Sequence, residues 1–312
     1  MILGALDIGG SKTLAGFVSE QGQVLASVWF PTGTGGCERH VRRCRAELER
    51  LAQNEGIALD GMIGVGVALP GVVDIARGAL IKSAYPDWNG KPVAAMLRDA
   101  FDGLPIAVEN DVNACAMGEM RFGWKDHFSD FIWVTVSTGV GGAVVSGGEM
   151  LRGAWGAAGE LGHIKVEYEH PASCPSCGEV GCLEAHASGL ALGRNLERMR
   201  LEDPSFDQCL RERGLEACGE ACALLAKEGE PHALAAFAET GRYLGRGLGA
   251  AVNLLNPEAV IFGGGVAMSL PFLRQAVERE LARVVHPNLL PVQLVATKLG
   301  YYAALIGAAA LL

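Results

Sequence analysis

Between residues 160 and 184 the chain concentrates side chains that bind metals and hydroxyl groups. His163, Cys174, Cys177 and Cys182 supply one imidazole and three thiols within this stretch. One His and three Cys form a closed tetrahedral ligand set for Zn²⁺, with no position left for a reacting water, so we expect a structural metal ion. Two alternatives stay open from the residues alone. Cys-x-x-Cys is also the spacing of redox pairs, and cysteines close in sequence can be free thiols.

Two carboxylates bracket this predicted metal loop. Glu160 precedes it and Glu184 follows it, so folding of the loop can bring both to one wall of a pocket. Ionised carboxylates only accept hydrogen bonds. Two of them on one wall suit a ligand rich in hydroxyl donors, such as a sugar. Gly178 and Gly181 favour tight turns around the metal.

Two glycine-rich turns join predicted strands elsewhere in the chain. The first separates strands at residues 2–6 and 14–18, and the second separates strands at 131–136 and 143–145. Glycines let backbone N–H groups approach a phosphate, and hydroxyl or ammonium groups add donors. One such turn alone would be interpreted as a plain hairpin, but its recurrence indicates an internal duplication with two phosphate-binding hairpins. The predicted phosphate contacts are Gly9, Gly10, Ser11, Lys12, Thr13, Thr138, Gly139 and Gly141.

Two further features extend this nucleotide hypothesis. Asp7 ends the first strand and is placed to hold Mg²⁺ through water. A third glycine cluster follows an apolar strand at residues 259–262, and its Gly264 and Gly265 would let a flat adenine ring lie against the backbone.

Carboxylates and amides also follow a strand at residues 106–108. Asn110 and Asp111 lie there, directly before a helix predicted at 114–121. Open α/β sheets bind ligands at such strand ends. The alternative for both residues is helix N-capping.

These residues must be positioned by alternating strands and helices, which predict an α/β fold. Residues 62–69 read as a buried strand, 70–74 as a turn, 87–90 as a polar loop and 202–213 as a charged joint. Residues 231–255 form a long helix in which Gly245, Gly247 and Gly249 predict close packing against another element. The other predicted helices span 39–51, 188–199, 215–227, 273–284 and 301–312, and a further strand spans 292–297.

Whole-chain composition narrows the class of protein. The chain has 312 residues, half of them hydrophobic, and a formal charge of −9. This charge argues against nucleic acid or an anionic membrane as the main partner. The nine cysteines and the lack of an export segment at the start predict a reducing cytoplasm. We see no apolar run long enough to span a bilayer.

Taken in order, the motifs resemble those of the ROK family, which groups bacterial sugar kinases with sugar-responsive repressors. The resemblance spans the whole chain. Its motifs lie at residues 7–13, 109–114, 137–142, 159–163, 177–184 and 263–265. One departure is that the family usually has Cys-x-Cys where this chain has Cys174-Pro-Ser-Cys177, which makes Cys174 the first thiolate ligand. The family's repressors carry an N-terminal DNA-binding segment, whereas this chain begins directly at the first strand, which favours the enzyme.

The resemblance implies a duplicated actin-like (ribonuclease H-like) ATPase fold, with two lobes and a cleft that closes on ATP, Mg²⁺ and a sugar. We predict a small lobe at residues 1–111 completed by 300–312, and a large lobe at 112–299. The resemblance further implies Asp111 as the catalytic base. It assigns sugar contacts to Gly71, Asn89, Asn110, Glu160, His163 and Glu184.

The predicted reaction is phosphoryl transfer from ATP to a hexose hydroxyl, with glucose and its 6-hydroxyl favoured. N-acetylmannosamine, N-acetylglucosamine and fructose are the alternative acceptors. A non-catalytic sugar sensor and an actin-like assembly protein are alternatives of a different class, but a sensor has no use for the base and an assembly protein none for the zinc loop. The family's habit predicts a homodimer or homotetramer.

Overall fold

The computed structural model describes residues 1–33, 35–83 and 85–312. The chain divides into two compact units. Unit 1 comprises Met1–Ser129, Gly148–Ala158 and Thr297–Leu312, and unit 2 comprises Asp130–Gly147 and Gly159–Ala296. No helix in these described ranges is long and apolar enough to cross a membrane.

The strands are, in chain order, β1 Ile2–Ile8, β2 Lys12–Ser19, β3 Val24–Pro31, β4 Met62–Leu69, β5 Val72–Asp74, β6 Ala79–Lys82, β7 Ile106–Asn110, β8 Phe131–Val136, β9 Val140–Ser146, β10 Glu149–Leu151, β11 Ala259–Gly263 and β12 Gln293–Ala296. The α-helices are α1 Cys37–Glu55, α2 Val93–Ala100, α3 Asp111–Arg121, α4 Leu183–Ala187, α5 Gly189–Glu202, α6 Pro204–Glu212, α7 Gly219–Lys227, α8 Pro231–Leu255, α9 Leu270–Val284 and α10 Ala303–Ala310.

Unit 1 is built on a sheet with strand order β3-β2-β1-β4-β7. β1 pairs antiparallel with β2 and parallel with β4. Both β1 and β4 are apolar along most of their length because helices cover both faces of the sheet. On one face α10 approaches so closely that a Cβ on Gly66 of β4 would clash with the carbonyl of Ala308.

Unit 2 repeats this plan. β8 pairs antiparallel with β9 and parallel with β11, and β12 lies beyond β11. The hairpin, the parallel neighbour and the next parallel strand therefore recur in the same order in both sheets. This confirms the internal duplication predicted from the glycine-rich turns.

Helix α8 organises the core of unit 2, as its glycines predicted. A Cβ on Gly245 would lie 2.6 Å from the Cβ of Glu280 on α9. A Cβ on Gly247 would likewise clash with the side chain of Leu183, and a Cβ on Gly249 with that of Val284. The expected close packing of the three glycines is confirmed, since any side chain would separate α8 from its neighbours.

Two sequence predictions about elements are wrong. The charged joint at 202–213 is mostly the helix α6, which buries only Phe206 and Leu210 and therefore looked polar. The turn at 70–74 contains the strand β5, which pairs with β6. The division into units also differs from the predicted lobe boundary at residue 111, since α3 packs on α10 and residues 112–129 belong to unit 1.

Candidate functional site

The junction between β7 and α3 in unit 1 holds the predicted base. Asp111 is the first residue of α3, and Asn110 is its N-cap. The Asn110 side-chain oxygen accepts hydrogen bonds from the N–H groups of Val112 and Asn113 at 2.9 and 3.0 Å. Capping of the helix by Asn110 is thus confirmed, and it holds Asp111, which is half-buried, at the positive end of the helix dipole.

A second predicted sugar contact lies beside this junction. The Nδ2 amide of Asn110 donates to the carbonyl of Gly71 at 2.9 Å, so the structure brings these two residues together. Gly71 has a φ of 101°, and a Cβ there would clash with the carbonyl of Lys82. Asn89 lies in the same unit, and its side-chain oxygen accepts from the N–H of Ser83 at 2.9 Å. Hydrogen bonds within the protein therefore use both the oxygen and the nitrogen of the Asn110 amide, and the oxygen of the Asn89 amide.

The first glycine turn joins β1 to β2. The N–H of Gly9 donates to the carbonyl of Lys12 at 2.9 Å, while Gly10 and Ser11 are exposed. The ammonium of Lys12 donates to the hydroxyl of Tyr301 at 3.0 Å. The exposed part of the turn is thus residues 10–12.

Thr13 differs from the other residues of this turn. Its side chain is fully buried, and its hydroxyl lies 2.9 Å from that of Thr32 and 2.8 Å from Nε2 of His40. Thr32 donates to the carbonyl of Gly9, so its oxygen accepts from Thr13, and His40 must then donate to Thr13. This chain of hydrogen bonds fixes the base of the turn and uses the hydroxyl proton of Thr13, whose backbone lies in β2 between β1 and β3, so the predicted phosphate contact of Thr13 stays a prediction.

Asp7 at the end of β1 carries a strongly perturbed carboxylate. Burial, followed by the charge of Asp111, raises the pKa of Asp7 to about 7, and Lys12 partly opposes this. The carboxylates of Asp7 and Asp111 therefore repel each other when both are ionised. Such a pair is stabilised by a cation, which fits the predicted Mg²⁺ role of Asp7.

In unit 2, the predicted zinc ligands converge. The ligand atoms of His163, Cys174, Cys177 and Cys182 all lie within 4.8 Å of one another. Nδ1 of His163 is 3.8 Å from Sγ of Cys174, and the sulfurs of Cys177 and Cys182 are 3.7 Å apart. Donors bound about 2.0–2.3 Å from a tetrahedral ion lie roughly 3.3–3.8 Å from each other, so the spacing suits Zn²⁺.

The loop around this cysteine cluster is closed by its own backbone. Cys174 donates its N–H to the carbonyl of Glu179 at 2.7 Å and accepts from Gly178 at 2.9 Å. Gly178 and Gly181 both have a φ of 76°, which confirms the tight turns expected of them. Burial raises the pKa of Cys174 to about 12, so this thiol needs a cation beside it in order to ionise.

The two bracketing carboxylates contact different members of the cluster. Nε2 of His163 is 3.8 Å from Glu160, which is exposed, while Nδ1 is on the cysteine side. Glu184 is buried, with one carboxylate oxygen 3.4 Å from the sulfur of Cys174 and hydrogen-bonded to Ser176. His163 can therefore bind a metal with one nitrogen and offer the other to a ligand.

Glu184 also contacts the second glycine turn, between β8 and β9. Its other oxygen accepts the N–H of Val140 at 3.0 Å. A Cβ on Gly139 would clash with this carboxylate, so a side chain there would displace Glu184. One buried side chain thus ties the cysteine cluster to the predicted phosphate hairpin, a connection that the sequence did not indicate.

A cavity of about 660 Å³ in unit 2 brings further predicted residues together. Thr138 of the second turn and Gly265 of the third glycine cluster both line it. Gly264 has a φ of 88° and packs against the carbonyl of Val136, while Gly141 lies within β9. The cavity is large enough for a nucleoside.

Sequence reasoning missed the other walls of this cavity. They come from the starts of α5 and α7 and from the segment before α7, and include Gly189, Gly193, Glu216, Cys218 and Glu220. The N–H of Gly189 donates to the carbonyl of Ser137 at 2.7 Å, which joins α5 to the second turn. The available signal was the glycine at the start of each helix, which permits close approach of a ligand to the backbone.

A single protein-family model matches nearly the whole chain. The ROK family model covers residues 3–312, and the chain belongs to this family. It is 32% identical to a glucokinase of Streptomyces coelicolor, over 97% of this chain and 95% of that protein. The resemblance predicted from the motifs is confirmed.

Solved structures of the family agree. A ROK family glucokinase from Streptomyces griseus in complex with glucose and AMPPNP superposes with a TM-score of 0.81, at 32% identity over 99% of this chain and 98% of that one. A ROK family transcriptional regulator, a homologue of the E. coli MLC protein, reaches 0.88 at 26% identity over 99% of this chain and 77% of that one. The chain has the predicted actin-like ATPase fold, and this fold serves both branches of the family.

Proposed function

We propose that this protein is an ATP-dependent hexose kinase that phosphorylates glucose. The observation that carries the proposal is the convergence in unit 2 of the second glycine turn and Gly265 on one nucleoside-sized cavity. The same turn is held by Glu184, which reaches the cysteine cluster. A protein with this likeness to glucokinases and with an Asp at the start of α3 has the parts that phosphoryl transfer requires.

In this proposal Asp111 accepts the proton of the attacking sugar hydroxyl. Asn110 holds the start of α3 in place through its cap and its bond to Gly71, so the carboxylate is oriented before the substrate arrives. Glu160, His163 and Asn89 bind and orient sugar hydroxyls, and the two glycine turns bind phosphate oxygens through backbone N–H groups.

Two metals belong to the proposal. Asp7 holds Mg²⁺, which neutralises charge on the phosphates of ATP. The cluster of His163, Cys174, Cys177 and Cys182 holds a structural Zn²⁺, and its spacing is the support for this. Cys174, which lies one residue earlier than the family's usual ligand, is one of the four converging side chains. The longer Cys-x-x-Cys spacing therefore still lets Cys174 reach the proposed zinc site.

The cytoplasmic location and the homodimeric or homotetrameric state stay predictions. Nine free cysteines suit a reducing compartment. A role in carbohydrate metabolism, with glucose 6-phosphate entering glycolysis, follows if glucose is the acceptor.

The test is ADP release, coupled to a second enzyme, with Mg²⁺ and a panel of glucose, mannose, fructose, N-acetylglucosamine and N-acetylmannosamine. We expect glucose to stand well above the others. Asp111→Asn should still bind sugar, but its turnover should fall by about 10²–10⁴-fold, which is the typical rate contribution of a general base. Asp60→Asn, at an exposed Asp of the same unit, is the matched control and should keep full activity.

Other outcomes would redirect the proposal. Near-normal turnover of Asp111→Asn removes Asp111 from the role of base. A different preferred sugar corrects the acceptor and keeps the kinase. The folded, zinc-loaded protein could release no ADP with any sugar of the panel and still show a higher melting temperature when sugar is added. That result would favour the non-catalytic sugar sensor.

A further inference from the structure

We propose that a second cavity, in unit 1, binds a small organic phosphate. The cavity measures about 430 Å³, within the range of roughly 300–1,000 Å³ typical of small-molecule pockets. Three arginines line it: Arg77 before β6, Arg98 on α2 and Arg152 after β10. Among its described lining residues, Glu109 supplies the negative charge, so the cavity carries a clear excess of positive charge in a chain whose net charge is −9.

The guanidinium groups are largely available to a ligand. Arg98 is exposed and has no side-chain partner in the part of the chain that the structure describes. Arg77 is 79% exposed and approaches Asp74 only at 3.9 Å. Exposed ion pairs at this distance hold a side chain weakly, so a ligand can recruit Arg77 at little cost.

Arg152 is committed on one side only. Its Nε donates to Glu109 at 2.8 Å, and its Nη2 lies 3.7 Å from the sulfur of Met117, a weak acceptor. The terminal N–H groups therefore remain for a stronger acceptor. The planar fork of arginine matches phosphate oxygens two at a time, which makes a phosphoryl group the favoured anion.

The remaining walls define the rest of the ligand. They are apolar and include Ile75, Ala94, Ala95, Ile106 and Leu311. A bare ion would leave this surface unused. The chemistry therefore points to a phosphate monoester with a short organic body.

The cavity is connected to the start of α3. Oε1 of Glu109 accepts from the N–H of Asn110 at 2.9 Å and from the Asn113 amide at 3.2 Å, while its Oε2 accepts from Arg152. A phosphate on the terminal N–H groups of Arg152 brings a second anion beside Glu109 and repels its carboxylate. We therefore expect occupancy to disturb the residues around Asp111 and to lower turnover, a consequence that rests on the proposed kinase function.

Binding is tested by isothermal titration calorimetry of the full chain with glycerol 3-phosphate, inorganic phosphate and glycerol. The variant is Arg77→Gln with Arg98→Gln, and the control is Arg42→Gln, at an exposed arginine of α1. We expect wild type and control to bind glycerol 3-phosphate more tightly than inorganic phosphate, and glycerol not at all. The double variant should bind glycerol 3-phosphate at least about tenfold more weakly, since charged hydrogen bonds are lost.

Equal affinity of all three proteins for glycerol 3-phosphate, or no binding by wild type, overturns the site. Inorganic phosphate binding as tightly as glycerol 3-phosphate overturns the organic part of the ligand. Neither Arg77 nor Arg98 belongs to the proposed sugar or nucleotide machinery, so this result does not depend on kinase activity. If the site binds but glycerol 3-phosphate leaves the turnover of an active kinase unchanged, the coupling to Asp111 is overturned.

Discussion

Replacing Glu184 with glutamine tests whether the cysteine cluster and the second glycine turn act together. In the structure the Glu184 carboxylate accepts the N–H of Val140 with one oxygen and lies beside Cys174 and Ser176 with the other. The substitution keeps the shape of the side chain and removes its charge. It therefore weakens the support of the turn without opening a cavity.

The size of the effect follows from the burial of Glu184, whose exposed fraction is 6%. A hydrogen bond to a charged acceptor contributes about 1.5–3 kcal/mol and one to a neutral acceptor about 0.5–1.5 kcal/mol, so the change costs about 1–2 kcal/mol. If this loss falls on the ATP-bound turn, the KM for ATP rises by about 5–30-fold.

The assay is steady-state ADP release, with ATP varied at saturating glucose and glucose varied at saturating ATP. Glu160→Gln is the matched control because Glu160 is exposed and contacts His163 and not the turn. We expect both variants to raise the KM for glucose, and only Glu184→Gln to raise the KM for ATP. An ATP KM for folded Glu184→Gln that equals the wild-type value would refute the reasoning.

Three other predictions follow from the same structure. Removing the metal with a chelator should lower the melting temperature and raise the sugar KM, because His163 loses its fixed orientation; an unchanged KM in zinc-free protein contradicts this coupling. Gly245→Ala should lower the free energy of unfolding in urea by about 1–3 kcal/mol, because the added methyl meets Glu280 at 2.6 Å; unchanged stability would mean that α9 can shift freely. The N–H of Glu169, followed by other donors such as Tyr243, lowers the pKa of Glu167 from 4.5 to about 2. The ionised Glu167 carboxylate therefore stabilises the fold fully above pH 4.5, and this stabilisation is lost as the pH falls toward 2. The stability gap between wild type and Glu167→Gln in urea should shrink across that range, and a constant gap would contradict it.

Much of the fold was predictable because its signals are local. The strands at the two glycine turns are apolar runs bounded by glycine, and the recurrence of that unit predicted the duplicated sheets. The helix α8 was predicted with its observed limits because its apolar periodicity is long and ends at Asn256-Pro257. In contrast, α6 buries only two apolar side chains, so its pattern resembled a charged connection.

The site was less predictable where it depends on residues distant in sequence. The approach of His163 to three cysteines could be predicted from ligand chemistry alone. The burial of Thr13 could not, because its partner His40 lies on α1 and only the tertiary fold joins them. The walls formed by Glu216 and Glu220 were missed for the same reason, since no local pattern marks a residue as facing a cavity.

The position of α10 after unit 2 in the chain affects how unit 1 is made. Most of unit 1 is synthesised before unit 2, yet its sheet is covered by Leu305, Ala308 and Ala309, which pack on Leu3 and Ala5 of β1. At about 5–20 residues per second, roughly 10–30 s of translation separate residue 129 from residue 297. Unit 2 can complete its core in that interval, whereas the first sheet must wait with an apolar face open. Unit 1 is therefore most dependent on chaperones before α10 emerges, and loss of α10 would damage a unit that is mostly synthesised before unit 2.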